Sequence, residues 1–231
     1  MKEIKHIGII MDGNRRFAKR LMLEPWKGHE LGANKIEKMC EWCKETGVNE
    51  LTLYAFSTEN FNRPKIEFDF LIKIFKKECQ RLLDDKKVEE ERLKVRFIGR
   101  IDMFDKELQE MVKKVMDKTE DYNNFTLNFA IAYGGRQEIV DAVNKVIHLA
   151  KKGMLDEGDI DVNNFKNYLY LSSEPELIIR TGGEKRLSNF LMWQSAYSEL
   201  IFLDKMFPEF DKEDFYACIK DFKKRDRRFG K

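Results

Sequence analysis

No stretch of the 231-residue chain is apolar for anything near the roughly 18 residues that a membrane-spanning helix needs, which excludes a transmembrane protein. The opening MKEIKHIGIIMDGN has an apolar core that stops at Asp12, too short for a secretory signal, so a cytoplasmic protein is expected. Cysteine is scarce: four residues make no disulfide framework, and the C-x-x-C of Cys40 and Cys43 has no second pair to complete a zinc site. All four read as small buried hydrophobes. Neither sign of charge dominates, with 43 Lys+Arg against 41 Asp+Glu and a net of +2, so a nucleic-acid-binding domain is not expected. Proline is rare at four residues, and no linker rich in Pro, Gly or Ser, no repeat and no low-complexity tract interrupts the chain. The charge run KKVEEER at Lys86–Arg92 reads as an exposed helix end or connection. A single domain over residues 1–231 is the expectation.

What is present is a hydrophobic period that alternates between strand and helix. His6–Met11, Leu51–Phe56, Val95–Ile98, Phe125–Ala132 and Leu177–Arg180 are short apolar runs of the kind that form buried parallel strands, with a last strand at Leu200–Leu203. Helical spacing predicts helices over His29–Thr46, stopped by Gly47, and over Ile66–Leu83. Further helices are expected around Leu108–Met116, after Gly134-Gly135, near Asn163–Leu171 and Asn189–Tyr197, and over Asp214–Arg227 with Asp211 as N-cap. The fold class is therefore α/β, a mostly parallel central sheet of about six strands flanked by helices.

In such a sheet ligands bind beyond the carboxyl ends of the strands. The segments just past the strands are Asp12-Gly13-Asn14-Arg15-Arg16, the run from Ser57 to Pro64, Tyr133-Gly134-Gly135-Arg136, and the run from Thr181 to Asn189. Glycines let backbone N–H groups approach phosphate oxygens, and arginine offers them a planar fork. Asp12 sits oddly among these arginines. It either holds Mg²⁺ against phosphates or simply caps a helix. Neither G-x-x-x-x-G-K-[ST] nor a G-x-G-x-x-G after the first strand is present, so a Walker-type nucleotidase and a dinucleotide-binding protein lose their usual support. The residues alone reach an α/β protein for a phosphate-bearing ligand.

Five blocks taken in order, HIGIIMDGNRRFAK, LTLYAFSTENFNRP, NFAIAYGGRQEIVDA, ELIIRTGGEKRLSNFLMWQSAYSEL and the terminal RDRRFG, resemble the cis-prenyltransferases, the undecaprenyl diphosphate synthase family. The resemblance implies a transferase that extends an allylic diphosphate primer, farnesyl or geranylgeranyl diphosphate, with isopentenyl diphosphate. Each condensation creates a Z double bond, and the polyprenyl diphosphate serves lipid-carrier synthesis of the undecaprenol or dolichol type. The D-D-x-x-D motif of the all-helical trans enzymes is absent, since Lys86-Lys87-Val88 comes after Asp84-Asp85.

The resemblance also assigns roles. Asp12 matches the essential aspartate, a Mg²⁺ ligand that assists departure of diphosphate. Gly13, Asn14, Arg15 and Arg16 match the phosphate-cradling loop, with Phe17 beside it and Pro25 and His29 nearby. Ser57, Thr58, Glu59, Phe61 and Arg63 match the segment that closes over substrate. Asn60 matches a residue proposed to help remove the proton, although an amide is a poor base and hydrogen bonding is the competing role. Arg180, Arg186, Leu187 and Ser188 match the isopentenyl diphosphate site, and Glu199 a metal-associated carboxylate. Arg228 and Gly230 match an R-x-G tail that reaches a diphosphate across a homodimer interface. Two diphosphates bring roughly six negative charges, which Arg16, Arg63, Arg180, Arg186 and a divalent cation could offset.

The product needs an apolar tunnel, for which Ala55, small on the second strand, and Phe70, Ile74 and Phe75 on the Ile66–Leu83 helix are candidates, with ordinary core packing as the competing use. A product this apolar implies contact with a membrane surface. Pro25 stands where many bacterial members carry arginine, Lys185 replaces a histidine associated with the metal, and NRRFAKRLMLEPWKGHELG resembles archaeal and eukaryotic members. The alternative is a non-catalytic partner subunit of a heteromeric enzyme. Such subunits typically lose the first-loop aspartate and its companions, which are present here.

Overall fold

The computed structural model describes residues 3–225. Six parallel strands form one sheet in the order β3-β4-β2-β1-β5-β6: β1 His6–Ile10, β2 Glu50–Ser57, β3 Leu93–Ile98, β4 Phe125–Tyr133, β5 Leu177–Arg180 and β6 Glu199–Phe202. The helices are α1 Asn14–Arg20, α2 Lys27–Ala33, α3 Ile36–Glu45, α4 Lys65–Asp84, α5 Lys86–Glu90, α6 Lys106–Lys118, α7 Gly135–Lys151 and α8 Lys212–Lys224. β1 is buried along its whole length because it has a neighbour on each edge and helices on both faces. Its side chains alternate: Ile7 and Ile9 pack with Met39 of α3 and Phe215 of α8, whereas Ile10 packs with Ile178, Tyr133 and Phe190 on the other face. A further cluster joins α4 and α6 to β3 and β4 through Leu71, Leu82, Val95, Val112 and Ile131. The strands fall close to where the apolar runs place them, and Asp211 caps α8 by accepting from the Asp214 N–H at 2.9 Å.

Four expected helices differ. The one expected over His29–Thr46 is two, broken at Asn34 and Lys35. Gly28 and Gly32 lie one turn apart on α2 and face Asn14; a Cβ on Gly28 would sit 2.0 Å from the Asn14 carbonyl oxygen and one on Gly32 2.9 Å from its Oδ1. This contact fixes α2 against α1, while α3 packs into the core through Ile36, Met39, Cys40 and Cys43. Near Asn163–Leu171 there is one 3₁₀ turn, Phe165–Tyr168, because the Asp161 carboxylate takes the N–H groups of Asn163 and Asn164, both at 2.8 Å, in place of a helical ladder. Asn189–Tyr197 is a chain of turns whose Asn189 and Leu191, with the preceding Ser188, have positive φ. α8 ends at Lys224, short of the expected Arg227. All four cysteines are free and buried, and burial pushes the Cys40, Cys79 and Cys218 thiols up to about 12, as inert core residues.

Opposite the ligand-binding end of the sheet, His6 is buried with Nε2 2.7 Å from Thr52 Oγ1, which also accepts from Asn128 Nδ2 at 2.9 Å. His6 Nδ1 is buried without a hydrogen-bond partner. Burial lowers the pKa of His6 against the raising pull of Glu50 and Glu176. A folded-state value below the unfolded one means that the stability His6 supports is present above about pH 6.5 and is lost as pH falls through the folded value. Tm should therefore decline from pH 7 to pH 5, and His6→Gln should flatten that decline. A decline of unchanged steepness in the variant would assign the effect elsewhere, with the half-buried His29, also lowered chiefly by desolvation, the next candidate.

Candidate active site

The carboxyl ends of β1, β2, β4 and β5 converge. Ile10 of β1 is in register with Tyr54 on one side and Arg180 on the other, so the loops after β1 and β5 meet where the chain order reverses across the sheet. Gly13 adopts φ 97°, a left-handed turn that sends the chain from β1 into α1, and its N–H donates to Asp12 Oδ1 at 2.6 Å. Asp12 is therefore not the cap of α1: Gly13 is, without a side-chain bond. The carboxylate of Asp12 turns instead to arginine, accepting from Arg180 Nη2 at 2.8 Å on Oδ2 and from Arg16 Nη2 at 3.3 Å on Oδ1. Burial raises its pKa, but the Arg180 bond, the Gly13 N–H and the charge of Arg180 and Arg16 outweigh it and hold the carboxyl below the usual range.

Arg180 is 4% exposed. Its Nη1 donates to the Arg186 carbonyl at 2.5 Å and to Ser188 Oγ at 2.8 Å, so one guanidinium ties β5, the loop after it and Asp12 together. Gly182 makes this possible: with φ 88°, a Cβ there would lie 2.8 Å from Arg16 Nη2. Asn189 bonds to the start of α7, its carbonyl accepting from Gly135 N–H at 2.7 Å and its Oδ1 from Arg136 N–H at 2.9 Å. That helix terminus thus holds the β5–β6 loop.

On the other side, Asn60 Oδ1 accepts from the Ser57 N–H at 3.0 Å and closes the turn after β2. Arg63 Nη1 donates to Glu67 Oε1 at 2.8 Å and lies 3.3 Å from His29 Nε2. Glu67, 2% exposed, also faces Arg15 Nε at 3.6 Å and His29 Nε2 at 3.7 Å, so one buried carboxylate gathers three of the expected ligand-binding residues. Its pKa is lowered, by the His29 bond first, with Arg63 and Arg15 adding to it.

Many of these groups, though not Arg15, Arg16 or Glu67, rim a cavity of ≈ 630 Å³ that is polar at the strand ends and largely apolar beyond. Asp12, His29, Arg63, Arg180, Arg186 and Ser188 line its mouth, as do Asn14, Ser57, Glu59 and Asn60. Its depth runs past Ala55, Ile74, Phe75, Leu82, Phe97 and Phe129. Ala55, Ile74 and Phe75 are therefore on the wall as expected. Phe70 is not: it packs on Trp26 at 6.1 Å between ring centres.

Several expected residues lie off the cavity. Phe61 packs against Phe56 and Phe104, Leu187 against the Ile10–Phe190 cluster, and Arg20 lies over the Phe17 ring. Pro25 precedes α2 on the surface side, and Thr58 Oγ1 is buried without a partner. Glu199 opens β6 in register with Leu177, the amino end of the sheet, about 10 Å along the strands from Arg180, and it binds Arg225 Nη1 at 3.0 Å. The structure does not bring it to Asp12 within one chain. Arg228 and Gly230 lie outside the described residues. Sequence reasoning missed Glu67 and Tyr54, which donates to the Ser188 carbonyl at 3.2 Å, and took Asn189 only as the end of the loop after the fifth strand. The signal for Glu67 was its place one helical turn after Arg63.

Among the described residues no three His, Cys, Asp or Glu side chains cluster for a metal ion. Asp12 and Glu59 offer carboxylates at the rim, and Asn14 Oδ1 is a buried acceptor without a partner. That donor set fits Mg²⁺, which takes one or two protein carboxylates and completes its shell with phosphate oxygens and water.

A deep apolar cavity with an arginine-lined mouth at the sheet's switch point defines a protein built for a ligand with a hydrocarbon tail and an anionic head. The comparisons specify which. Residues 10–230 match the prenyltransferase family model described as "Putative undecaprenyl diphosphate synthase". The chain is 48% identical over 229 residues to the tritrans,polycis-undecaprenyl-diphosphate synthase (geranylgeranyl-diphosphate specific) of Methanopyrus kandleri, covering 98% of this chain and 84% of that protein. It is 49% identical to the enzyme of the same name from Pyrococcus abyssi, covering 98% and 87%. Among solved structures, lavandulyl diphosphate synthase from Lavandula x intermedia, in complex with dimethylallyl diphosphate, superposes with a TM-score of 0.91 at 32% identity, covering 99% of this chain and 98% of that one. A probable undecaprenyl diphosphate synthase from Campylobacter jejuni gives 0.82 at 36% identity over the full length of both. The chain belongs to the undecaprenyl diphosphate synthase family of cis-prenyltransferases and is of the archaeal type.

Proposed function

We propose that the protein condenses isopentenyl diphosphate onto geranylgeranyl diphosphate, repeatedly, to give a long Z-polyprenyl diphosphate of the undecaprenyl class. The observation that carries this reading is the Asp12–Arg180 pair at the mouth of a cavity whose interior is largely apolar along α4 from Leu71 to Leu82. A bound diphosphate sets the hydrocarbon tail inward, and the buried, pre-placed guanidinium of Arg180 needs no rearrangement to meet charge on it. The primer preference is drawn from the name its archaeal relatives carry.

In each round the isopentenyl double bond attacks the primer's first carbon as its C–O bond breaks, diphosphate leaves, and a proton is lost to form the new double bond. Arg16, Arg63, Arg180 and Arg186 bind and orient the two diphosphates, and Asp12 holds Arg180 and Arg16 in place. Asp12 would hold Mg²⁺, which would supply charge neutralisation at the departing diphosphate. Asn60, its carboxamide oxygen already engaged by the Ser57 N–H, orients substrate and leaves proton removal to a more basic oxygen such as that of a diphosphate. Labelled isopentenyl diphosphate, Mg²⁺ and a series of primers, with chromatographic sizing of the products, test the assignment. Products grown from geranylgeranyl diphosphate are expected, and no elongation of any primer would reject it.

The wall position of Ala55 makes a second outcome specific. Ala55→Leu adds a branched side chain inside the cavity and should shift the products several isoprene units shorter, at nearly unchanged initial rate. An unaltered product ladder would remove Ala55 from length control.

A homodimer belongs to the same proposal. α7 presents Val140, Val143 and Ile147 exposed at helical spacing, an apolar stripe that nothing in the chain covers among the described residues. Val143→Glu should convert a dimer to monomers in sedimentation and reduce turnover; a dimer that persists would place the interface on another face. Among the described residues no helix is long and apolar enough to cross a membrane, so contact of the product with a bilayer is proposed at the surface only.

A further inference from the structure

The connection between α1 and α2 holds apolar surface that the fold does not use. α1 ends in a Schellman motif: the Leu23 N–H donates to the Ala18 carbonyl at 2.9 Å and the Met22 N–H to the Lys19 carbonyl at 3.0 Å. The residue that makes such a turn is ordinarily glycine, because φ is positive there. Here it is Met22, at φ 57° and 96% exposed, flanked by Leu21 at 49% and Leu23 at 43%. A long apolar side chain is thus kept in a strained conformation where it touches almost nothing. Leu31 and Ile66, also exposed, stand on α2 and α4, which meet through Trp26 and Phe70.

The charge around this tip is uneven. From residue 15 to residue 31 stand Arg15, Arg16, Lys19, Arg20 and Lys27 against Glu24 and Glu30, a larger positive balance than the +2 of the whole chain. Arg20 is held by Glu209 at 2.7 Å and Lys27 by Glu30 at 3.3 Å, whereas Lys19 stands exposed on the last turn beside the tip. Apolar side chains at a basic rim are the surface chemistry of an interfacial anchor on an anionic bilayer. Its place fits: α1 runs about 10 Å from Asn14 at the cavity to the tip, and α2 carries His29, Gly32 and Ala33 of the cavity wall.

We propose that Leu21, Met22 and Leu23, with Lys19 as an exposed cation beside them, dock the protein on an anionic lipid surface and so set the mouth of the cavity against the bilayer that receives its product. This deepens the proposed function and rests on it for the identity of that product, but the docking is measured separately. Sedimentation with vesicles containing about 30 mol% phosphatidylglycerol in phosphatidylcholine, and with phosphatidylcholine alone, reads the partition of the full chain. Binding to the anionic vesicles, weakened by salt, is expected. The Leu21→Ser, Met22→Ser, Leu23→Ser triple variant should bind at least about tenfold more weakly, Lys19→Glu should lose the preference for anionic lipid, and both should keep the rate of one condensation between water-soluble substrates.

Met22→Gly separates docking from folding. Glycine relieves the positive φ, so this variant should melt about 1–3 °C higher and yet bind vesicles more weakly. Equal vesicle binding by wild type and the triple variant overturns the proposal. So does a wild type that ignores both vesicle types, or a triple variant whose only change is from dimer to monomer, which would give the tip to a second copy of the chain. Absence of condensation in a wild type that does bind vesicles would overturn the enzymatic reading and leave the docking site standing.

Discussion

Asp12→Ala is expected to lower turnover by about 10³-fold, near the upper range for loss of one preorganised group that stabilises developing charge. Asp12 does two things at the rim. It is the rim carboxylate that the family resemblance assigns to Mg²⁺, and it is the anion that holds the nearly buried Arg180 at 2.8 Å. Alanine removes both and leaves a buried guanidinium without its carboxylate, at a cost of about 3 kcal/mol. The sheet core is untouched, so the variant should fold with a Tm several degrees lower. Asp12→Asn separates the two roles: an amide oxygen still accepts from Arg180, so the fold should recover while turnover stays low. Steady-state rates and melting curves of the two variants check this, and near-normal turnover in either would take Asp12 out of the chemistry.

The second large effect belongs to Arg180. Its Nη1 and Nη2 are committed to Arg186, Ser188 and Asp12, and its Nε is buried without a partner. Lysine cannot reproduce that fork. Arg180→Lys should therefore raise KM for isopentenyl diphosphate by about 10²-fold, the loss of one or two charge-assisted hydrogen bonds. KM for the allylic primer should change far less. Equal effects on both substrates would mean that Arg180 holds the loops rather than one diphosphate.

Much of this site was legible because parallel strands buried on both faces leave unbroken apolar runs, and the residues just past the end of each run are the ones that meet the ligand. Asp12, Ser57 and the Thr181–Asn189 loop were found that way, and the family blocks named the individual roles. Glu199 differs from the other matched residues: it opens its strand while they come after theirs, and the fold sets it at the amino end of the sheet. Glu67 went unread because a glutamate in the first turn of a helix looks like an exposed residue favoured by the helix dipole. Only the fold shows Arg15, His29 and Arg63 arriving around it from three segments. The break between α2 and α3 was hidden for a related reason: helical spacing continues through Asn34 and Lys35, and only the fold shows α2 held on Asn14 through Gly28 and Gly32.

The most direct test is a crystal structure of the protein with isopentenyl diphosphate, an unreactive thio analogue of the allylic diphosphate, and Mn²⁺ in place of Mg²⁺ for its anomalous signal. The account predicts two diphosphates between Arg63 and Arg180, the anomalous peak beside Asp12, and the hydrocarbon lying past Ala55 towards Leu82. Diphosphates bound away from that rim, or a tail outside the cavity, would contradict it.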